Sequence, residues 1–167
     1  MCSNKWTCYF KYFLLLAAFF GMSVFAQTGK VEREKFDPTR NPVEDLKVAV
    51  KQATELNKRI ILDVGGEWCI WCHRIDEFIE TTTEVKSAFH DAFVVLKVNF
   101  SPENKNEVFL STFPKIEGYP HFFVLESDGK LLHSQNTGDL EAGKSYSKEK
   151  FLEFITTHKK PVTNTGQ

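Results

Sequence analysis

Methionine is scarce in this 167-residue chain: Met1 and Met22 are the only two, and both lie in the first 22 positions. A chemistry that needs a thioether ligand further along therefore has none. Cysteine is almost as sparse, with Cys2 and Cys8 near the start and Cys69 and Cys72 within the body of the chain. One closely spaced pair does not make a disulfide-stapled small domain, so a hydrophobic core has to hold the fold together. The formal charge of −1 says nothing about partners, but there is no basic run and no low-complexity tract to argue for nucleic acid. The five histidines show no metal-ligand spacing, and two thiols with one adjacent histidine lack the second ligand pair of a zinc site.

What is present is an ordinary globular composition, 42 % hydrophobic and 14 % aromatic, enough for one core and too apolar for disorder. Residues 1–26 differ in kind. Lys5 and Lys11 precede an apolar run from Tyr12 to Phe20, and small residues end it at Ala26. This is the pattern of a secretory signal peptide, with a mature start at Gln27. The alternative is an uncleaved membrane anchor, although the run is shorter than the roughly 20 apolar residues that span a bilayer. Removal of residues 1–26 takes away two lysines and no acid, shifting the formal charge from −1 to −3. It also leaves Cys69 and Cys72 as the only thiols. Export to a periplasm is the expectation; secretion and anchoring are its alternatives.

Residues 27–40 are polar without an apolar period, and predict a solvated, flexible leader. A single domain is expected over 41–160, followed by a tail at 161–167. Asn41-Pro42 offers a helix cap with proline in the first turn, and Leu46, Ala49, Val50, Ala53 and Leu56 keep helical spacing. Arg59–Val64 reads as a strand covered on both faces, and residues 69–80 as a helix. A short helical piece around 85–89 precedes a second strand at 93–100. A weaker helical turn through Val108, Phe109 and Leu110 leads to Gly118-Tyr119-Pro120. That turn enters a hairpin of 121–125 and 131–135 across Ser127-Asp128-Gly129-Lys130. Residues 136–147 read as a long surface loop, and 148–158 as a closing helix. The order gives an α/β fold, a central mixed sheet flanked by helices, with an additional N-terminal helix.

The stretch Trp68-Cys69-Ile70-Trp71-Cys72-His73 follows the first strand where a helix begins. A thiol there faces unpaired N–H groups and the positive helix end, which favours its thiolate. Cys69 is the nucleophile on this reading and Cys72 the resolving thiol, exchanging disulfides through a mixed disulfide. A permanent structural disulfide is the alternative, but a loop this short removes little chain entropy. The same letters spell Cys-x-x-Cys-His, which in exported proteins also serves to attach haem. The downstream proline and hairpin have no use in a small helical cytochrome.

Asp63 in the first strand, Trp68-Cys69 at its end, Cys72, Lys97 in the next strand and Pro120 before the hairpin together resemble the thioredoxin superfamily, in particular its exported bacterial members. The resemblance covers residues 42–160. It implies a thiol-disulfide oxidoreductase with no cofactor, in which Asp63 lies beneath Cys72 and relays its proton, with Lys97 as charge partner. It also implies a cis Tyr119-Pro120 bond lying against the cysteines. Trp68, Trp71, Tyr119 and Pro120 would contact substrate, and Ile70 and His73 would tune the potential. The implied partners are thiols and disulfides of exported proteins, with a membrane electron donor or acceptor. A thioredoxin-fold binding or chaperone module is the non-enzymatic alternative. Ile70-Trp71 between the cysteines, His73 after them and the longer segment at 139–147 depart from thioredoxin itself.

Overall fold

The computed structural model describes residues 33–161, so the expected signal peptide, the start of the expected leader and the tail beyond Pro161 lie outside the described residues. Helix α1 spans Pro42–Leu56. The Asn41 side chain accepts the Val43 N–H at 3.0 Å, and Asn57 closes the helix with a φ of 54°. Ala49 and Ala53 are buried, but Leu56 is exposed, so the apolar stripe ends a turn earlier than its sequence period.

Strand β1 (Arg59–Gly65) pairs in parallel with β2 (Phe93–Asn99) and antiparallel with β3 (His121–Leu125). β3 pairs antiparallel with β4 (Leu131–Asn136), giving the order β2-β1-β3-β4. β1 is therefore central, and six of its seven residues are buried. Side chains alternate across a strand. Ile60, Leu62 and Val64 join Leu96, Val98, Phe123 and Leu125 beneath α1 on one face.

Ile61, Phe122 and Val124 face the opposite layer, formed by α2 (Ile70–Thr81), α3 (Thr83–Ala92) and α5 (Lys148–His158). Phe89, Phe151 and Phe154 fill that side, each burial contributing about 1.5–3 kcal/mol. A four-residue helix, α4 (Glu107–Leu110), stands where the weak helical signal lay. The mixed sheet flanked by helices, with a leading α1, matches the sequence expectation. Among the described residues no helix is long and apolar enough to cross a membrane.

Two segments differ from that expectation. Residues 33–40 do not float: Phe36 is buried at 2 % exposure, and Arg33 and Arg40 both make ion pairs. The segment's polar sequence hid a single buried ring. Residues 137–146 are not a surface loop either. They form a 3-10 turn (Thr137–Leu140) and a small hairpin of β5 (Glu141–Ala142) and β6 (Ser145–Tyr146). Thr137, Leu140 and Tyr146 are buried, and Tyr146 meets the rings of Trp71, Phe78 and Phe151. Three isolated inward residues among glycines and charges leave no periodicity to read.

Candidate active site

The site lies at the C-terminal end of β1, where Gly65-Gly66 turns the chain into α2. Cys69 occupies the helix N-cap rather than the first helical turn, and its Sγ accepts the Cys72 N–H at 3.1 Å. The helix forms because Cys72, Ile75, Asp76 and Ile79 place a buried stripe at helical spacing. Cys69 and Cys72 are joined as a disulfide with Cα atoms 5.2 Å apart. Cys69 keeps 5 % exposure, whereas Cys72 has none.

Asp63 and Lys97 are cross-strand partners on β1 and β2, and Lys97 Nζ lies 2.7 Å from Asp63 Oδ2. Asp63 is buried, and its Oδ1 has no hydrogen-bond partner among the described residues. Burial pushes the Asp63 carboxyl above its ordinary range, only partly opposed by the Lys97 charge, and the nearby Asp76 adds to the rise. Burial alone would lower Lys97, but the two carboxylates outweigh it and hold the ammonium charged.

Asp76 is the residue that the sequence reading missed. Its Oδ1 accepts from Lys97 Nζ at 2.7 Å and its Oδ2 from Arg33 at 3.1 Å. A signal was available, since position 76 shares the stripe of Cys72 and Ile79. A charge on that stripe is buried and requires a partner. Arg33 also pairs with Glu67, whose Oε1 accepts the Phe36 N–H at 2.8 Å. Burial would raise Glu67, but those bonds prevail and hold it below its usual value. Phe36 forms one buried cluster with the two cysteines.

The Tyr119-Pro120 peptide bond is cis. Tyr119 packs against the cysteine cluster, stacks on Phe100 with centroids 4.8 Å apart and meets Trp68 edge-on at 5.6 Å. Trp68 Nε1–H donates to the Phe100 carbonyl at 2.7 Å, fixing an indole that is still 56 % exposed. Ile70 is exposed beside it. Trp71 points instead toward the core, edge-on to Tyr146 and under the Arg74 guanidinium. His73 Nε2 lies 2.9 Å from the Glu67 carbonyl oxygen. His121, at the start of β3, is buried with Nε2 2.8 Å from Ser134 Oγ. The Cys-x-x-Cys-His letters stand here between a central sheet strand and a helix start, close in the fold to a cis proline and a hairpin, which is not the setting of a small helical cytochrome.

A thioredoxin-like family profile matches residues 41–127. The chain belongs to the thioredoxin-like family. No curated protein sequence is found to match it. Among solved structures it is similar to a disulphide isomerase from Xylella fastidiosa, with a TM-score of 0.62 and 21 % identity over 73 % of this chain and 94 % of that one. It also resembles the oxidised C-terminal domain of DsbD from Neisseria meningitidis, at TM-score 0.53 and 20 % identity over 75 % and 100 %. A DsbH oxidoreductase aligns at 0.52 and 20 % over 80 % and 91 %. At these identities the structures establish the thioredoxin fold, and the chemistry rests on this chain's own residues.

Proposed function

We propose that the protein is a thiol-disulfide oxidoreductase that exchanges disulfides with exported protein substrates, acting as a reductase or isomerase. The observation that carries this reading is the Cys69–Cys72 pair at the start of α2, with the buried, incompletely bonded carboxyl of Asp63 on the strand leading into it. Reduced Cys69, at the helix N-terminus, attacks a substrate disulfide and forms a mixed disulfide. Cys72 then bonds to Cys69, the substrate sulfur leaves with the electron pair, and the Cys72 proton passes to Asp63. A raised Asp63 suits that acceptance and later return of a proton. Lys97 keeps the acid oriented.

Trp68, Ile70 and the cis Tyr119-Pro120 segment supply an apolar rim for an extended chain. Trp71, less exposed, contributes at the edge. His73 and Ile70 are the neighbours that tune the couple. The N-terminal signal pattern supports an exported setting, where a membrane electron donor or acceptor resets the dithiol. Comparison of insulin disulfide reduction by the protein and by Cys69→Ser tests the assignment. Loss in the variant is expected; equal turnover would mean that the pair does not catalyse and would favour a binding module. A reduction potential near the roughly −270 mV of thioredoxin is expected for a reductase, against about −120 mV for a strong oxidant.

A further inference from the structure

Residues 33–40 form a strap beside the cysteines, fixed at both ends. At one end Arg33 pairs with Glu67 and Asp76, and the Phe36 N–H donates to Glu67. At the other, Arg40 Nε lies 2.8 Å from Asp45 Oδ2, and Asn104 Nδ2–H donates to the Pro38 carbonyl at 2.8 Å. Between these anchors the Phe36 ring is buried in one cluster with Cys69 and Cys72. A Cβ built on Gly65 would meet Cys72 Sγ at 2.5 Å and Phe36 Cζ at 3.0 Å, so ring and sulfur close over the same point of backbone. Lys97 Nζ lies 4.3 Å from the centroid of that ring. One aromatic side chain therefore borders the resolving sulfur and the ammonium that holds Asp63.

In a dithiol exchanger the two sulfurs are not equivalent. An outside thiolate that attacks Cys69 releases Cys72 into its buried place; attack on Cys72 would join the partner to the wrong sulfur. Accessibility decides which sulfur is attacked, together with nucleophilicity. The helix N-terminus favours Cys69 electronically but does not by itself exclude reagents from Cys72.

We propose that Phe36 is a selectivity-determining residue that shields Cys72, and that Arg33 is the positioning residue that latches it. The shield confines attack by external thiols and electrophiles to Cys69. It also keeps the passage of the Cys72 proton to Asp63 out of bulk water while Cys72 Sγ bonds to Cys69 Sγ and the substrate leaves as a thiolate. The consequence for turnover rests on the oxidoreductase reading above; the shielding does not.

The test is competitive alkylation of the fully reduced full-length chain with limiting iodoacetamide, with labels at Cys69 and Cys72 quantified separately by peptide mass spectrometry between about pH 6 and 9. In the wild type the label is expected at Cys69, with Cys72 slower by about tenfold or more. Phe36→Ala should raise the Cys72:Cys69 ratio about tenfold, and Phe36→Leu should restore most of the protection. Arg33→Gln, which leaves the ring in place and cuts the latch, should give an intermediate ratio, with Arg33→Lys closer to wild type. A ratio unchanged in both Phe36→Ala and Arg33→Gln, with circular dichroism and melting temperature as in wild type, would overturn the proposal. Should Phe36→Ala fail to fold, Arg33→Gln decides on the same criterion. Because labelling needs no turnover, a wild type inert toward insulin but showing the expected ratios removes the oxidoreductase reading alone. An active enzyme with unchanged ratios removes the shield alone.

Discussion

Asp63 and Lys97 face each other across the parallel β1–β2 pair, with Oδ2 and Nζ 2.7 Å apart, and Asp76 closes on the same ammonium from α2. Two carboxylates share one buried cation. Burial withholds the water that would stabilise a carboxylate at Asp63 and Asp76 adds like charge, against the opposing pull of Lys97 and Arg33, so a proton is readily held there. This is why burial raises Asp63 although a lysine touches it. In the proposed exchange the proton held at Asp63 is the one that Cys72 gives up.

Asp63→Asn separates that proton from the geometry. An acid whose folded pKa exceeds its unfolded one stabilises the fold at pH values below the unfolded pKa, and loses that contribution as pH rises through the folded pKa. The Asp63 contribution to wild-type stability should therefore fall between the unfolded and folded pKa, and the Asn variant should lack that fall. Urea midpoints at a series of pH values measure the difference, which should favour the variant at neutral pH. Disulfide exchange at neutral pH should slow by about a hundredfold. A variant with wild-type rates would remove Asp63 from proton transfer.

Lys97→Met removes the cation and leaves Asp63 and Asp76 facing each other. Breaking a buried pair in this way costs about 3–5 kcal/mol, because the surviving charge is uncompensated. The loss should shrink in acid, where the carboxylates protonate, and the double variant Lys97→Met/Asp63→Asn should recover part of it at neutral pH. Denaturant unfolding of the three variants checks both statements.

Where sequence and structure agree, the reason is repetition. The apolar Ile60-Ile61-Leu62 run, the stripe of α2 and the Asn41-Pro42 cap each state their element several times over. The charged core around Lys97 was half legible: the family resemblance implies Asp63 and Lys97 as partners, but Asp76 enters only once the helical stripe is allowed to include an acid. Phe36 and Arg33 were illegible, since one ring and one cation in a polar segment have no period, and their partners lie some 30 to 40 residues further along the chain. The excursion at 137–146 failed for the same reason.

Leu140→Ala tests that excursion. Leu140 is 5 % exposed and belongs to the core beneath α5, so its truncation should cost about 2–5 kcal/mol. In a solvated loop the same change would stay within about 0.5 kcal/mol. Thermal or urea unfolding distinguishes the two without reference to activity.

Gly65→Ala tests the contact between the strap and the Cys72 sulfur. The added methyl would stand 2.5 Å from Cys72 Sγ and 3.0 Å from Phe36 Cζ, distances at which something must move. Overpacking a buried site of this kind costs about 1–3 kcal/mol. The partner atoms differ in how readily they yield, since the sulfur is fixed at the first turn of α2, whereas the ring tip belongs to a strap. Phe36→Leu shortens the ring and relieves only the second contact. The two substitutions should therefore couple: the double variant should be less destabilised than the sum of the singles by about 0.5 kcal/mol or more. Simple additivity in urea unfolding of the oxidised protein would mean that Phe36 does not close over Gly65, and would separate the strap from the redox site.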